Sequence, residues 1–289
     1  MSRPGRREAR ETRPPEAHPV GETKMKWAEL TVPGFRKAVK EVEGLCVIPM
    51  GILEKHADHL PLGTDLFNVA AVVERAVEIE PAIVFPPYFF GQINCARHQP
   101  GTVSLRRSVT LELLENVCDE IARNGLKKIV LANGHGGNGI LLDYFVRTTL
   151  EKRRDYVVYY VPTSAYRLKG PDWEAMNMPD GPGHGGADET SRVMAAKPGL
   201  VTLENVPKGE PVLERIAHLA GATIAVEWYA RNPNCYAGDA DARGASEERG
   251  RIQVEQCAGK LAKVLKAIKE DAMAGRLTRE FYDLAEGHG

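Results

Sequence analysis

Several things are missing from this 289-residue chain, and each absence removes a class of function. No stretch approaches the ~18 uninterrupted apolar residues that a membrane-spanning helix needs. Charge of one sign does not dominate: 38 Lys and Arg against 39 Asp and Glu leave a formal −1. The chain as a whole therefore offers no electrostatic footprint to nucleic acid or to an anionic membrane. The five cysteines, Cys46, Cys95, Cys118, Cys235 and Cys257, are odd in number and form no CxxC pair. Free, mostly buried thiols are expected, with Cys95 set apart by its place in a polar loop. The first residues carry no apolar core of a secretory signal, so the expected setting is the cytoplasm. No GxxxxGK[ST] occurs, and the one dense glycine loop fails GxGxxG, which argues against a phosphate cradle.

What is present is ordinary globular material. Hydrophobic residues make up 43% of the chain, enough for a sizeable core. Residues 1–24 are rich in Arg, Glu and Pro and nearly free of large apolar side chains, so a disordered extension is expected. Its acidic and basic residues are interspersed, which favours a solvated tail over a nucleic-acid arm. Residues 25–289 read as one domain.

Within that domain, Thr31 and Pro33 can open a helix running through Val42. Residues 45–51 (LCVIPMG) read as a buried strand, 65–80 as a helix, and 82–91 (AIVFPPYFFG) as a second strand running into a loop. An amphipathic helix over 109–125 ends at Gly125, and 127–139 (KKIVLANGHGGNG) reads as strand, glycine-rich turn and a helix from about Ile140. A strand over 155–162, a helix from Glu189 that Pro198 stops, and one long helix from Ser246 to Ala274 complete the pattern. Strands alternating with helices imply an α/β fold with a mostly parallel sheet covered on both faces. In such sheets the site lies at the carboxyl ends of the strands.

Three polar clusters follow the strands or open a helix. The first, GILEKHADHLPLGTD (51–65), holds Glu54, His56, Asp58, His59 and Asp65. Glu54 and His56 are two apart and share one face of an extended segment. Asp65 arrives beyond a Pro-Leu-Gly turn, and a carboxylate has two oxygens with which to bridge two ions. The alternative is a surface turn that happens to be polar. The second cluster, ANGHGGNG (132–139), has His135 as its single strong ligand or base, beside Asn133 and Asn138. A structural histidine in a tight turn is the alternative. The third, GPGHGGADETS (181–191), holds His184 in a glycine-rich loop and Asp188 and Glu189 at a helix start, where carboxylates also serve as caps. Nitrogen and oxygen ligands without thiolate suit Zn, Mn or Fe(II) better than a structural zinc site.

EKHADHLPLGTD, NGHGGN and HGGADETS, in this order and spacing, resemble the three signatures of the creatininase (creatinine amidohydrolase) family. The likeness runs from about Trp27 to Lys269. It implies a three-layer αβα sandwich, usually a homohexamer, and an amidohydrolase that cleaves a cyclic or linear C–N amide bond of a small molecule. It implies two divalent metal ions per chain, with Glu54 and His135 on one, His56 on the other and Asp65 bridging. Creatininase has a glutamate two residues after the loop histidine, where this chain has Gly137, and some relatives use a position that is Ala187 here. The carboxylate in register is Glu189, expected as the fifth ligand, with Asp188 in reserve. Two ring-binding aromatics of creatininase are replaced by Gly136 and Asp180, so creatinine is not the expected substrate.

In the mechanism so implied, a metal-activated water attacks the amide carbon, and His184 gives a proton to the leaving nitrogen. Gln92, Asn94, Arg97 and His98, in the loop after the second strand, join Gly136 and Asn138 as expected substrate contacts. Asp239 and Asp241 are expected to be structural rather than part of the site. The alternatives are a peptidase or deformylase of the same family acting in cofactor or peptide maturation, and a metal-poor binding subunit.

Overall fold

The computed structural model describes residues 25–168, 183–208, 213–219, 221–237 and 242–287. The expected N-terminal extension and Asp180, Asp239 and Asp241 lie outside the described residues. Four strands, β1 (Leu45–Met50), β2 (Ile83–Val84), β3 (Lys128–Asn133) and β4 (Val157–Val161), form one parallel sheet in the order β2-β1-β3-β4. The helices that join them are α1 (Val32–Glu41), which leads into β1, α2 (Thr64–Ile79), α3 (Arg107–Arg123) and α4 (Asn138–Thr148). After β4 come α5 (Ala187–Ala196), α6 (Glu227–Arg231), α7 (Glu247–Glu270) and α8 (Met273–Glu286).

The chain steps outward from β1 to β2 through α2, then back across β1 to β3 and on to β4 through α3 and α4. Right-handed crossovers put α2 on one face and α3 and α4 on the other. Helices α5 and α7 pack on α2 and complete its layer, so the sandwich has the expected three layers. Every residue of β1 is buried, as a strand covered on both faces must be. Ile48 and Leu131, paired across β1 and β3, are fully enclosed. Truncating either to Ala would cost ~2–5 kcal/mol.

Local chemistry explains where the elements start and stop. Thr31 caps α1 by accepting from the Gly34 N–H, with Pro33 in the first turn. The second strand is shorter than expected. Pro86 and Pro87 have no N–H to give the ladder, so regular pairing ends at Val84 and returns only as an isolated bridge between Tyr88 and Met50. The single long C-terminal helix is in fact two. Asp271 turns out of the helix, and its carboxylate accepts from the Met273 and Ala274 N–H groups, which stops α7 at Glu270 and starts α8. Helix α4 begins at Asn138, two residues before its expected start.

The carboxyl ends of β1 and β3 lie side by side, Met50 paired with Asn133. Gly51 leaves β1 so close to the start of α2 that a Cβ there would sit 2.6 Å from the Leu66 nitrogen. Only a residue without a side chain admits that approach, and the approach carries Asp65 to the strand ends.

Candidate metal centre

The first cluster leaves β1 in an extended run and then folds back. Ala57 takes a left-handed backbone (φ 53°), held by its N–H donating to the Cys235 carbonyl at 2.9 Å. A non-glycine residue in that region stores ~1–3 kcal/mol, a cost met mostly at functional sites. The turn leaves Glu54 and His56 pointing inward while Asp58 stays at the surface, paired with Lys55 at 3.0 Å.

Glu54, His56, Asp65 and His135 are all buried, at 2%, 0%, 3% and 7% exposure. Four ionisable groups without solvent are expensive unless each has a counterpart. Asp65 stands between two histidines: Oδ2 is 2.8 Å from His135 Nδ1, and Oδ1 is 3.3 Å from His56 Nε2. Glu54 Oε1 adds a second carboxylate 2.9 Å from His135 Nδ1, and Glu189 Oε2 lies 3.6 Å from His56 Nε2. Glu54, Asp65 and His135 form one donor group and His56, Asp65 and Glu189 another, with Asp65 common to both, while Glu54, His56 and His184 form a third.

The far nitrogens of the two histidines indicate which atoms are free to bind. Nε2 of His135 faces the Gln92 carbonyl at 3.2 Å, and Nδ1 of His56 faces the Glu54 carbonyl at 3.4 Å. If those nitrogens carry the protons, the lone pairs of His135 Nδ1 and His56 Nε2 look straight at carboxylate oxygens. Only a proton or a cation between them makes that contact favourable. Glu54 Oε1 and His56 Nε2 are moreover sealed from solvent without an aligned hydrogen bond. Without metal, protons fill the role. Burial alone would lower the His56 pKa, but Asp65, then Glu189 and Glu54, carry it up to about 10. Burial likewise opposes, and Glu54 and Asp65 override, a rise of His135 well above the usual range. Asp65 resists burial and is held far below the carboxylate range by His56 and His135. Nitrogen and oxygen donors gathered this closely could hold a divalent cation in place of those protons.

His184 stacks on His56 with ring centroids 4.0 Å apart, and its Nε2 faces the Lys55 carbonyl at 2.9 Å. Burial first, and then the neighbouring His56, push its pKa down, so it is neutral near pH 7. Glu189 is in the first turn of α5, and the carboxylate oxygen nearest His56 also accepts from the Gly185 N–H at 2.8 Å. The same oxygen therefore holds the loop before α5 and faces His56. Asp188 turns the other way, fully buried between Arg167 and Arg192.

The remaining expected contacts divide. Gln92 and Asn138 are beside His135: the Gln92 N–H donates to Asn138 Oδ1 at 2.9 Å, and Asn138 is fully buried. Gly136 faces open space, with no atom within 4 Å of where its Cβ would be. Asn94 accepts from Ser104 and, with Arg97, lines a separate surface cleft. His98 faces the Pro233 carbonyl at 2.8 Å and lies edge-on to Tyr229. His59 is buried against Thr190 at 3.1 Å. At Gly137, a Cβ would come 2.5 Å from His135 Nε2 and 2.9 Å from Gln92 Oε1, so this loop has no room for a glutamate there. Unforeseen in the sequence are Trp228, edge-on to His184 at 5.0 Å, and Arg167 and Arg192 on Asp188. Asp188 and Arg192 do have the i,i+4 spacing of a helical ion pair, but Arg167 has no local signal.

The family profile described as Creatininase: Creatinine amidohydrolase matches residues 28–265. The chain belongs to the creatininase family. It is 27% identical over 253 residues to the creatinine amidohydrolase of Pseudomonas putida, covering 82% of this chain and 95% of that protein. It is 30% identical over 189 residues to the mycofactocin precursor peptide peptidase of Mycolicibacterium smegmatis, covering 63% and 70%. Among solved structures, a creatinine amidohydrolase superposes with a TM-score of 0.73 at 25% identity, covering 87% of this chain and all of that one. A creatininase described as a manganese form superposes at 0.74 and 24% identity, covering 86% and 100%. This creatininase-family chain is accordingly a hydrolase acting on carbon–nitrogen bonds.

Proposed function

We propose that this chain hydrolyses a small amide other than creatinine at a site that binds two divalent ions. The observation that carries the reading is Asp65, whose two oxygens face two different histidines, each with its own further carboxylate. Glu54, His135 and Asp65 would hold one ion, and His56, Glu189 and Asp65 the other. Zn, Mn or Fe suits this nitrogen–oxygen set, and solved creatininases described as Zn–Zn and manganese forms belong to the same fold. Bound there, the ions supply an activated water and polarise the substrate carbonyl.

The protein's own residues do the rest. The Gln92 and Glu54 carbonyls fix the tautomers of His135 and His56. His184, neutral and with Nε2 committed to the Lys55 carbonyl, takes up a proton at Nδ1 and passes it to the leaving nitrogen. Gly136 leaves open the space beside the loop, so a ring is not clamped from that side. This openness and the 30% identity to a precursor-peptide peptidase favour one second reading, cleavage within a small peptide. Homohexameric assembly and a cytoplasmic location belong to the same proposal, and light scattering tests the first.

Elemental analysis of protein purified without chelators, alongside hydrolysis of a panel of linear and cyclic amides, tests the reading. Two ions per chain and chelator-sensitive amide hydrolysis are expected, with creatinine turned over weakly or not at all. A metal-free preparation that still hydrolyses amides, or efficient turnover of creatinine, would overturn it.

A further inference from the structure

Beside Glu189 the structure holds a second polar feature that neither the ligand set nor the proton path uses. A cavity of about 90 Å³ lies at the carboxyl ends of β3 and β4, lined among others by Asn68, Gly136, Tyr166, Arg167, Glu189 and Arg192. Two of these are guanidinium groups, and they share a single oxygen. Asp188 Oδ2 accepts from Arg167 and lies 3.5 Å from Arg192, while Asp188 itself is fully buried. Arg192 also donates to Gln253 Oε1 at 3.3 Å and is nearly enclosed. Arg167 is different: its side chain is 32% exposed, and its Nε is without a hydrogen-bond partner.

The charge count at this wall is uneven. Arg167 and Arg192 give two positive charges, and Asp188 returns one negative. Glu189 is the other carboxylate on the cavity, but its oxygen is directed at His56, 3.6 Å away. One positive charge is left over, on a rigid fork suited to planar anions, at the edge of the reacting centre. A structural ion pair would match one carboxylate to one guanidinium, so the second cation is surplus to folding. The space fits too. A cavity needs roughly 10–15 Å³ to take a water, so this one has room for a small charged group and not for a ring system. Gly136 leaves the entrance clear on the side of His135.

We propose that this cavity seats a carboxylate of the substrate, with Arg167 as the specificity-determining contact. The substrate class is then an amide that carries a free carboxylate close to the scissile bond. The assignment rests on the amidohydrolase reading for what is cleaved, but the anion subsite is a property of Arg167, Arg192 and Asp188 and does not need the ions.

The experiment compares N-acetylglycine with N-acetylglycinamide, two probes alike except for the carboxylate, by calorimetric titration. Wild-type protein and the Arg167→Gln and Arg167→Lys variants are titrated both metal-loaded and metal-free, with metal content and thermal midpoint recorded for each. A charge-assisted contact predicts that wild type prefers the carboxylate probe by about tenfold or more. The preference is expected to collapse in Arg167→Gln and to return in part in Arg167→Lys, with metal content unchanged. It should survive removal of the ions, which separates it from direct coordination. Equal binding of the two probes by wild type, or a preference that persists in a folded Arg167→Gln, overturns the proposal. Should Arg167→Gln fail to fold, the wild-type comparison and Arg167→Lys decide alone. A protein that holds no metal but keeps the preference would overturn the two-ion reading and leave this one standing.

Discussion

The two ends of the sheet carry charge in opposite ways. At the amino ends of β3 and β4, Lys127 pairs with Asp155, Arg153 with Asp283 and Glu286, and Arg154 with Glu115 and Asp119. Each of these three cations meets an anion, and most of the partners are solvated. At the carboxyl ends, Glu54, His56, Asp65 and His135 are sealed away, with carboxylates crowded on two histidines and two atoms lacking an aligned hydrogen bond. The first arrangement is complete in the protein alone and adds little to stability. The second is completed only by something from outside the chain. Burial without satisfaction, rather than charge as such, marks the functional end.

The largest break in this contrast comes at Asp65. Asp65→Ala should lose both ions and fall to background hydrolysis, because one carboxylate serves both halves of the cluster. Elemental analysis and an amide assay check this, and two ions retained would remove the bridging role. Glu54→Gln or His135→Ala should each lose mainly one ion.

Glu189 gives a sharper test, since its carboxylate both accepts from the Gly185 N–H ahead of α5 and faces His56. The amide of Glu189→Gln can still accept from the Gly185 N–H but is a poor ligand. It should keep its stability while losing close to one ion per chain and nearly all activity. Glu189→Ala should lose the same ion and, in addition, about 1.5–3 kcal/mol of stability with the hydrogen bond from Gly185. Denaturant melts and metal counts on the pair separate the two roles.

Acid and base act on the metal-free protein in a predictable direction. His56 stands at about 10 against a usual 6.5, and a raised histidine gives stability that is full below its unfolded value and lost as pH rises through its folded one. The thermal midpoint of metal-free protein should therefore fall between about pH 7 and 10. Metal-loaded protein should not show the fall, because cations replace the protons, and metal uptake near neutral pH should release protons into weak buffer. An unchanged midpoint over that window in metal-free protein would contradict the coupling of His56 to its carboxylates. The smallest effect is expected at the other end of the sheet. Arg153→Ala should change metal content not at all and thermal stability little, despite losing two ion pairs.

Much of the carboxyl end was legible in the sequence because it is built from short segments. Glu54, His56 and Asp65 fall within one strand exit, His135 in one glycine-rich turn, and Glu189 at one helix start. Spacing and position after a strand single out the first four, whereas Glu189 rested on the resemblance to the creatininase family. The layers were legible for the same reason, since apolar runs alternate with amphipathic ones. What depends on partners distant in the chain was not. Arg167 meets Asp188 from 21 residues away in sequence, and Asn94 and His98 share a loop with Gln92 but turn to Ser104 and Pro233. Two local signals were present and outweighed by pattern: the prolines that cut β2 short and the Asp271 cap that divides α7 from α8.

Anomalous diffraction from crystals grown with manganese tests whether Asp65 joins two cation sites. Two peaks per chain are expected, one among Glu54, His135 and Asp65 and one among His56, Glu189 and Asp65. A single peak, or two peaks that do not share Asp65, would contradict it.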